Sequence, residues 1–165
     1  LGSPRLPPMA SRVPPEVSTA LADRVASLRG RATGRVLDLD TDPLDDAGGV
    51  YDTIYAFLQA PHRRDLDRFY CRLYELLAPG GLVYVLEPTI RTGPRGRALG
   101  IGGLLARPIA GLHLDRDIPQ SIRRAGLFVS DVHRFEVAAV AAPFRPFVEA
   151  WARFPTLAPE DGDVS

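Results

Sequence analysis

Residues Tyr51–Pro88 read YDTIYAFLQAPHRRDLDRFYCRLYELLAPGGLVYVLEP. Tyr51–Leu58 is apolar and rich in aromatic and β-branched side chains, which predicts a buried strand. Asp65 then opens a helix whose apolar residues recur at helical spacing: Leu66, Phe69, Tyr70, Leu73, Leu76 and Leu77. Pro79-Gly80-Gly81 predicts a tight turn that ends this helix. The apolar run Leu82–Leu86 is typical of a strand covered on both faces, so the stretch predicts a βαβ unit with parallel strands.

The composition is that of one globular domain. The chain has 165 residues, of which 45% are hydrophobic and 24% are charged. Its net charge of zero predicts no nucleic-acid partner. No apolar run is long enough to span a bilayer, and no signal peptide is visible, so we expect no membrane association and a cytoplasmic location.

The sequence offers little for metal or thiol chemistry. The single cysteine, Cys71, excludes an internal disulfide and a cysteine metal cluster. Cys71 lies in mid-helix beside core positions, which predicts a buried structural thiol. An acidic run lacks the spacing of an EF-hand, so we expect a solvated loop and no metal site; its members are Asp38, Asp40, Asp42, Asp45 and Asp46.

The two ends of the chain have the composition of tails. Residues 1–15 are rich in proline and lack periodicity, and residues 156–165 are polar and acidic. A helix is predicted over Glu16–Arg29, because one face is apolar: Val17, Leu21, Val25 and Leu28. We therefore expect a single domain over residues 16–155.

The C-terminal third predicts a second group of elements. A glycine-rich connection, Thr89–Gly111, is followed by a helix over Ile118–Ala125, which Asp115 or Asp117 can cap. Strands are predicted over Phe128–Val137 and Phe144–Phe154, and their short connection makes an antiparallel pair the expected arrangement.

Three parts of the central stretch resemble the second half of class I S-adenosylmethionine (SAM)-dependent methyltransferases. They are Tyr51-Asp52-Thr53-Ile54, Arg72–Gly81 and Glu87-Pro88, which are similar to the FD-x-V strand, the R-x-L-x-P-G-G helix end and the Glu-Pro strand end of small-molecule methyltransferases. The resemblance implies an α/β fold with a shortened Rossmann-like sheet. The sheet is expected to be mostly parallel with an antiparallel C-terminal end, and to carry helices on both faces.

Gly34–Asp40, which reads GRVLDLD, resembles the first strand of the same family, where a glycine-rich loop follows and approaches SAM. Here no G-x-G follows Leu39, and too few residues remain before Tyr51 for the family's second and third strands. A second alignment makes Val36–Asp40 the family's third strand instead. We favour the first alignment, and both leave the glycine loop absent.

The resemblance implies positions for a cofactor and a substrate. SAM would lie at the carboxyl ends of the strands, against Asp38, Asp40, Tyr55, Phe57 and Leu58. The implied substrate contacts are His62, Glu87, Arg91 and His113. Each has a structural alternative: the two histidines lie near predicted helix starts, and Glu87 can form a buried ion pair with Arg91.

Three functions follow from these observations. The first is a SAM-dependent methyltransferase that acts on a small molecule, as the resemblance implies. The second is a catalytically inactive relative that serves as an interaction or regulatory domain. The third is a small-molecule binding protein that reuses the pocket. The missing glycine loop favours the second and third.

The shortened sheet also predicts an interaction surface. Without the two missing strands, Val36–Asp40 forms an exposed apolar edge, and such edges invite pairing with another chain. We therefore predict a homodimer through this edge, or a covering tail formed by residues 1–15. Light scattering coupled to size exclusion measures the mass in solution, and a monomer with a bare edge would contradict the prediction.

Overall fold

The computed structural model describes residues 15–89, 116–138 and 145–155. Within them the elements follow in the order α1 (Pro15–Arg29), β1 (Val36–Asp38), β2 (Tyr51–Phe57), α2 (Leu66–Leu76), β3 (Leu77–Pro88), α3 (Ile118–Arg124), β4 (Phe128–Glu136) and β5 (Pro146–Arg153). Two 3₁₀ helices, Leu44–Asp46 and Ala60–His62, follow β1 and β2. The predicted tails, apart from Pro15 at the start of α1, lie outside the described residues, as does most of the glycine-rich connection.

The strands form one five-stranded sheet in the order β1-β2-β3-β5-β4. β1 pairs with β2, and β2 with β3, in parallel. β5 runs antiparallel to both β3 and β4, so the other four strands share one direction. This confirms the predicted α/β class, with a mostly parallel sheet and an antiparallel C-terminal end.

Helices cover both faces of the sheet. Alternate residues of β2 point to opposite sides, as the period of two requires. Tyr55 and Phe57 pack in one cluster with the apolar stripe of α1. Ile54 and Ala56 pack in the other cluster, with α2 and α3. The two clusters together form the core, and the sheet separates them.

The connection between β1 and β2 is short for a parallel return. It contains only the 3₁₀ helix Leu44–Asp46, yet Val36, Leu37 and Asp38 pair in parallel with Thr53, Ile54 and Tyr55. β1 is also shorter than the predicted Val36–Asp40. The chain turns at once, because the backbone N–H of Thr41 and of Asp42 both donate to the carbonyl oxygen of Asp38.

β1 lies at one edge of the sheet beside β2, so this strand forms an edge, as predicted for Val36–Asp40. Val36 on this strand is exposed, and so is Val50 just before β2. The homodimer through this edge stays a prediction.

The predicted Pro-Gly-Gly turn is instead part of a strand. α2 ends at Leu76, and β3 begins at the next residue. Tyr51 pairs with Leu77 but Thr53 pairs with Leu82, so the segment around Gly80 bulges out of the ladder. Gly80 has a φ of 78°, which favours glycine. The motif therefore produces a bulge that continues into the central strand.

Cys71 corrects another prediction, because its thiol is exposed and not buried. The buried residues of α2 are Leu66, Phe69, Tyr70, Leu73 and Leu76. Cys71 is adjacent in sequence to these residues but lies on the exposed side of the helix. Proximity in sequence to core positions therefore did not predict its burial. The predicted helix caps are confirmed. The side chain of Asp65 caps α2 by accepting a hydrogen bond from the backbone N–H of Arg68, and that of Asp117 caps α3 by accepting one from the backbone N–H of Gln120.

The end of α1 is held by a side chain from the sheet. The hydroxyl of Tyr55 lies 3.0 Å from the carbonyl oxygens of both Leu28 and Arg29, in the last turn of the helix. Carbonyl groups at a helix C-terminus lack partners within the helix. Tyr55 therefore fastens α1 to β2.

Removing this hydroxyl tests its role. We expect Tyr55→Phe to lower the free energy of unfolding by about 1 kcal/mol, because it leaves helix carbonyls without a donor. Urea denaturation gives the value. Tyr70→Phe is the matched control, because the hydroxyl of Tyr70 is buried and has no hydrogen-bond partner among the described residues. Its removal should cost nothing, and equal losses in the two variants would contradict the assignment.

Candidate functional site at the carboxyl ends of the parallel strands

The carboxyl ends of β1, β2 and β3 meet at the same edge of the sheet, where ligands of open α/β folds bind. This edge carries Asp38, the loop that begins at Leu58, and Glu87. Asp38, Leu58 and Glu87 are all predicted site residues. Their contacts decide which of them a ligand can reach.

Glu87 is fully buried. Its carboxylate accepts a hydrogen bond of 2.8 Å from the backbone N–H of Gln59 and one of 3.1 Å from that of Ala60. Both donors lie at the start of the 3₁₀ helix that follows β2. Glu87 thus holds the loop after β2 from the neighbouring strand, and its side chain is closed to solvent.

Gln59 joins the three strand ends, although it is not among the predicted site residues. Its amide nitrogen Nε2 lies 3.4 Å from the carbonyl oxygens of both Leu39 and Phe57, just after β1 and at the end of β2. Its oxygen Oε1 accepts a hydrogen bond of 2.8 Å from Arg63. One feature of the sequence points to Gln59, because it directly follows a long apolar strand. An amide buried there needs several hydrogen-bond partners, and Gln59 is fully buried.

The loop after β2 begins with a strained residue. Leu58 has a φ of 52° although it is not glycine, a conformation that costs about 1–3 kcal/mol. Its N–H donates to the carbonyl oxygen of Leu86 at 2.9 Å, and its side chain is buried in the α1 cluster. The strain is maintained by these contacts and turns the chain towards Gln59.

Arg29 occupies the end of β1. Its guanidinium lies 2.8 Å from Oδ2 of Asp38 and 3.3 Å from Oδ2 of Asp40. Asp38 also accepts a hydrogen bond from the N–H of Asp40 through Oδ1. The structure therefore brings together both predicted acidic residues, but around a cation that the chain itself supplies.

The remaining predicted cofactor residues are also engaged. The ring of Tyr55 packs against that of Phe57 with centroids 5.3 Å apart, and both are buried. Burial, followed by the nearby Tyr84 and Asp38, raises the pKa of Tyr55, so its hydroxyl stays protonated and remains a donor to α1. Phe57 lies beneath Arg29, whose guanidinium is 5.7 Å from the ring centroid.

These contacts do not fit SAM as the resemblance assigned it. In the family that the sequence resembles, the acidic residue of the first strand holds the amino group of SAM; here Arg29 is paired with the corresponding carboxylate, that of Asp38. The aromatic residues are packed in the core, and every residue from Leu37 to Pro43 carries a side chain where the family has its glycines.

The predicted substrate residues are only partly described. His62 ends the 3₁₀ helix Ala60–His62 and is half-buried, two residues beyond the backbone that Glu87 holds. Arg91 and His113 lie outside the described residues. Glu87 and His62 therefore share one loop, with Glu87 fixing the backbone.

Tyr70 adds a buried hydroxyl beneath this loop. Burial and the charge of Glu87 raise its pKa well above the usual value, while Arg116 lowers it less strongly. The Tyr70 hydroxyl therefore stays neutral.

Among residues 15–89, 116–138 and 145–155, no set of three metal-ligating side chains comes together. In the same ranges no helix has the length and apolar character to cross a bilayer.

No protein-family model matches this sequence, and no curated protein matches it. Solved structures do match. The [4+2]-cyclase SpnF is 18% identical with a TM-score of 0.51, over 84% of this chain and 63% of SpnF. A putative methyltransferase from Bacillus halodurans C-125 is 13% identical with a TM-score of 0.53, over 70% of this chain and 76% of that protein.

A third match is to the complex between the Haloferax volcanii Trm112 methyltransferase activator and the putative methyltransferase. It has 13% identity and a TM-score of 0.53, over 84% of this chain and 80% of that chain. Identities this low show the fold alone, and that fold is the class I methyltransferase fold. The chain spans less than two thirds of SpnF.

The role of Glu87 can be tested by an isosteric change. Glu87→Gln keeps one acceptor oxygen but replaces the other with an NH₂ group, which cannot accept from a backbone N–H. We expect the free energy of unfolding to fall by about 1–3 kcal/mol, the cost of an unsatisfied buried donor. Urea denaturation measures it.

Glu75→Gln is the control for Glu87→Gln. Glu75 pairs with Arg72 at 2.9 Å on the surface and is 62% exposed, and such pairs contribute about 0–1 kcal/mol. If the two variants lose similar stability, Glu87 does not hold the loop as described.

Proposed function

We propose that this chain is a methyltransferase-fold domain that binds a ligand or partner and does not transfer a methyl group from SAM. The observation that carries the proposal is the contact of Arg29 with both Asp38 and Asp40. A guanidinium between two carboxylates competes directly with the ammonium group of SAM for the same acceptors.

The local backbone supports this proposal. After β1 the chain turns on the carbonyl oxygen of Asp38, and the residues of the turn are Leu39, Asp40, Thr41 and Asp42. A ligand that approaches the backbone closely needs glycine, because any side chain blocks the approach. Leu39 is itself buried in the core on the α2 side of the sheet. Opening a SAM site here would therefore disturb packing as well as an ion pair.

The structural neighbours do not share one chemistry. SpnF is a [4+2]-cyclase, whereas the Bacillus halodurans protein is a putative methyltransferase, so proteins of this fold differ in chemistry. Fold alone thus leaves room for a domain without methyl transfer.

A SAM-dependent methyltransferase acting on a small molecule is the second candidate. The class I methyltransferase fold favours this candidate. So does the exposure of Arg29, because its side chain is 38% exposed and can swing into solvent. In that case SAM would have to displace Arg29, and its binding would compete with the ion pair.

Calorimetric titration with SAM and its demethylated product separates the two candidates. We expect no heat from the unaltered protein at ligand concentrations up to ~1 mM, the limit of weak binding. Micromolar binding would overturn the proposal and establish the second candidate.

Two variants locate the cause of this result. Arg29→Ala uncovers Asp38 and Asp40, and Arg31→Ala removes a neighbouring arginine that lies over Trp151 instead. Binding by Arg29→Ala alone would show that the ion pair masks an intact site. Circular dichroism checks that each variant is folded.

A further inference from the structure

A groove of about 470 Å³ opens between the 3₁₀ helix Leu44–Asp46 and the start of α2. Both of its walls follow the carboxyl ends of parallel strands, β1 and β2, which is the edge where α/β folds bind ligands. The groove lies on the α2 side of the sheet. Asp38 and Asp40 instead contact Arg29 of α1, so the groove is separate from the predicted SAM position.

The groove is strongly basic. Four arginines line it against two aspartates: Arg63, Arg64, Arg68 and Arg72, with Asp45 and Asp65. One carboxylate oxygen of Asp65 already accepts from the N–H of Arg68 as the helix cap. Like charges gathered in a concave surface raise the local potential and attract an anion.

Two of the arginines are fixed by other contacts. Arg63 donates to Oε1 of Gln59 at 2.8 Å, and its guanidinium lies 4.8 Å from the ring centroid of Phe69. Arg72 donates to Glu75 and to the carbonyl oxygen of Ala47. Ordered guanidinium groups lose little entropy when they bind a ligand.

The other two arginines are exposed. Within the described part of the chain, the side chains of Arg64 and Arg68 make no hydrogen bond or ion pair. The backbone at Arg64 is nevertheless held, because its carbonyl oxygen accepts a hydrogen bond of 3.0 Å from Arg116. The N-terminus of the 11-residue helix α2 lies at the same place and adds a partial positive charge.

We propose that this groove binds a small phosphorylated molecule. A phosphate group would accept charge-assisted hydrogen bonds from Arg64 and Arg68, whose planar forks match its oxygens. The volume of about 470 Å³ suits a small ligand and is too small for a macromolecular surface. The apolar side chains of Leu44 and Phe69 line the same groove and would contact the organic part.

Pyrophosphate is the probe for this site, measured by calorimetry and by ¹⁵N amide shifts. The unaltered protein should bind it, with shifts in residues 44–46 and 63–72. The double variant Arg64→Ala/Arg68→Ala should bind at least about tenfold more weakly, which corresponds to about 1.4 kcal/mol. Arg134→Ala, which removes an exposed arginine from β4, should bind as the unaltered protein does.

Three results would overturn the proposal: no binding of pyrophosphate, equal weakening by Arg134→Ala, or amide shifts centred on Arg29 and Asp38. The double variant Arg64→Lys/Arg68→Lys guards against a folding defect, because it keeps the charges and loses only the planar forks; it should bind with intermediate affinity. The SAM titration tests the α1 side of the sheet, so its outcome does not decide whether the groove on the α2 side binds a phosphorylated molecule.

Discussion

The loop after β2 depends on one buried carboxylate. The side chain of Glu87, on β3, accepts hydrogen bonds from the backbone N–H groups of Gln59 and Ala60. The side-chain amide of Gln59 in turn contacts carbonyl oxygens at the ends of β1 and β2. A buried carboxylate is costly unless it is hydrogen-bonded, and a partly satisfied network is worse than none. Three adjacent strand ends are therefore held in one arrangement, from which the chain continues into α2.

Arg29 performs the corresponding task on the other face. It is the last residue of α1, where a cation is favoured by the helix dipole, and it faces two carboxylates at the end of β1. Together with the hydroxyl of Tyr55 it closes the space between α1 and the short edge strand. A three-residue strand contributes few ladder hydrogen bonds, so these side-chain contacts stabilise its position. The same contacts occupy the carboxylates beside which the resemblance would place the amino group of SAM.

Local patterns predicted most of the fold. The stripe of α2, the apolar run of β3 and the caps Asp65 and Asp117 each depend on neighbours within a few residues, which periodicity captures. The bulge at Gly80 was missed, because a Pro-Gly-Gly sequence suits both a turn and a bulge, and strand pairing decides between them. Gln59 and Arg29 were missed for a related reason: their partners lie in other elements, and only the assembled sheet brings them together.

The sheet divides this molecule into two sides with different chemistry. On the α1 side, the carboxylates at the strand end are matched by a guanidinium, and the aromatic residues beneath are packed in the core. On the α2 side, arginines outnumber aspartates around a groove, and two of them face solvent. Arg63 connects the groove to the strand ends through Gln59, so a ligand there would contact the same network that holds β1, β2 and β3. Binding on this side would stabilise the fold by mass action, because the groove exists only in the folded chain.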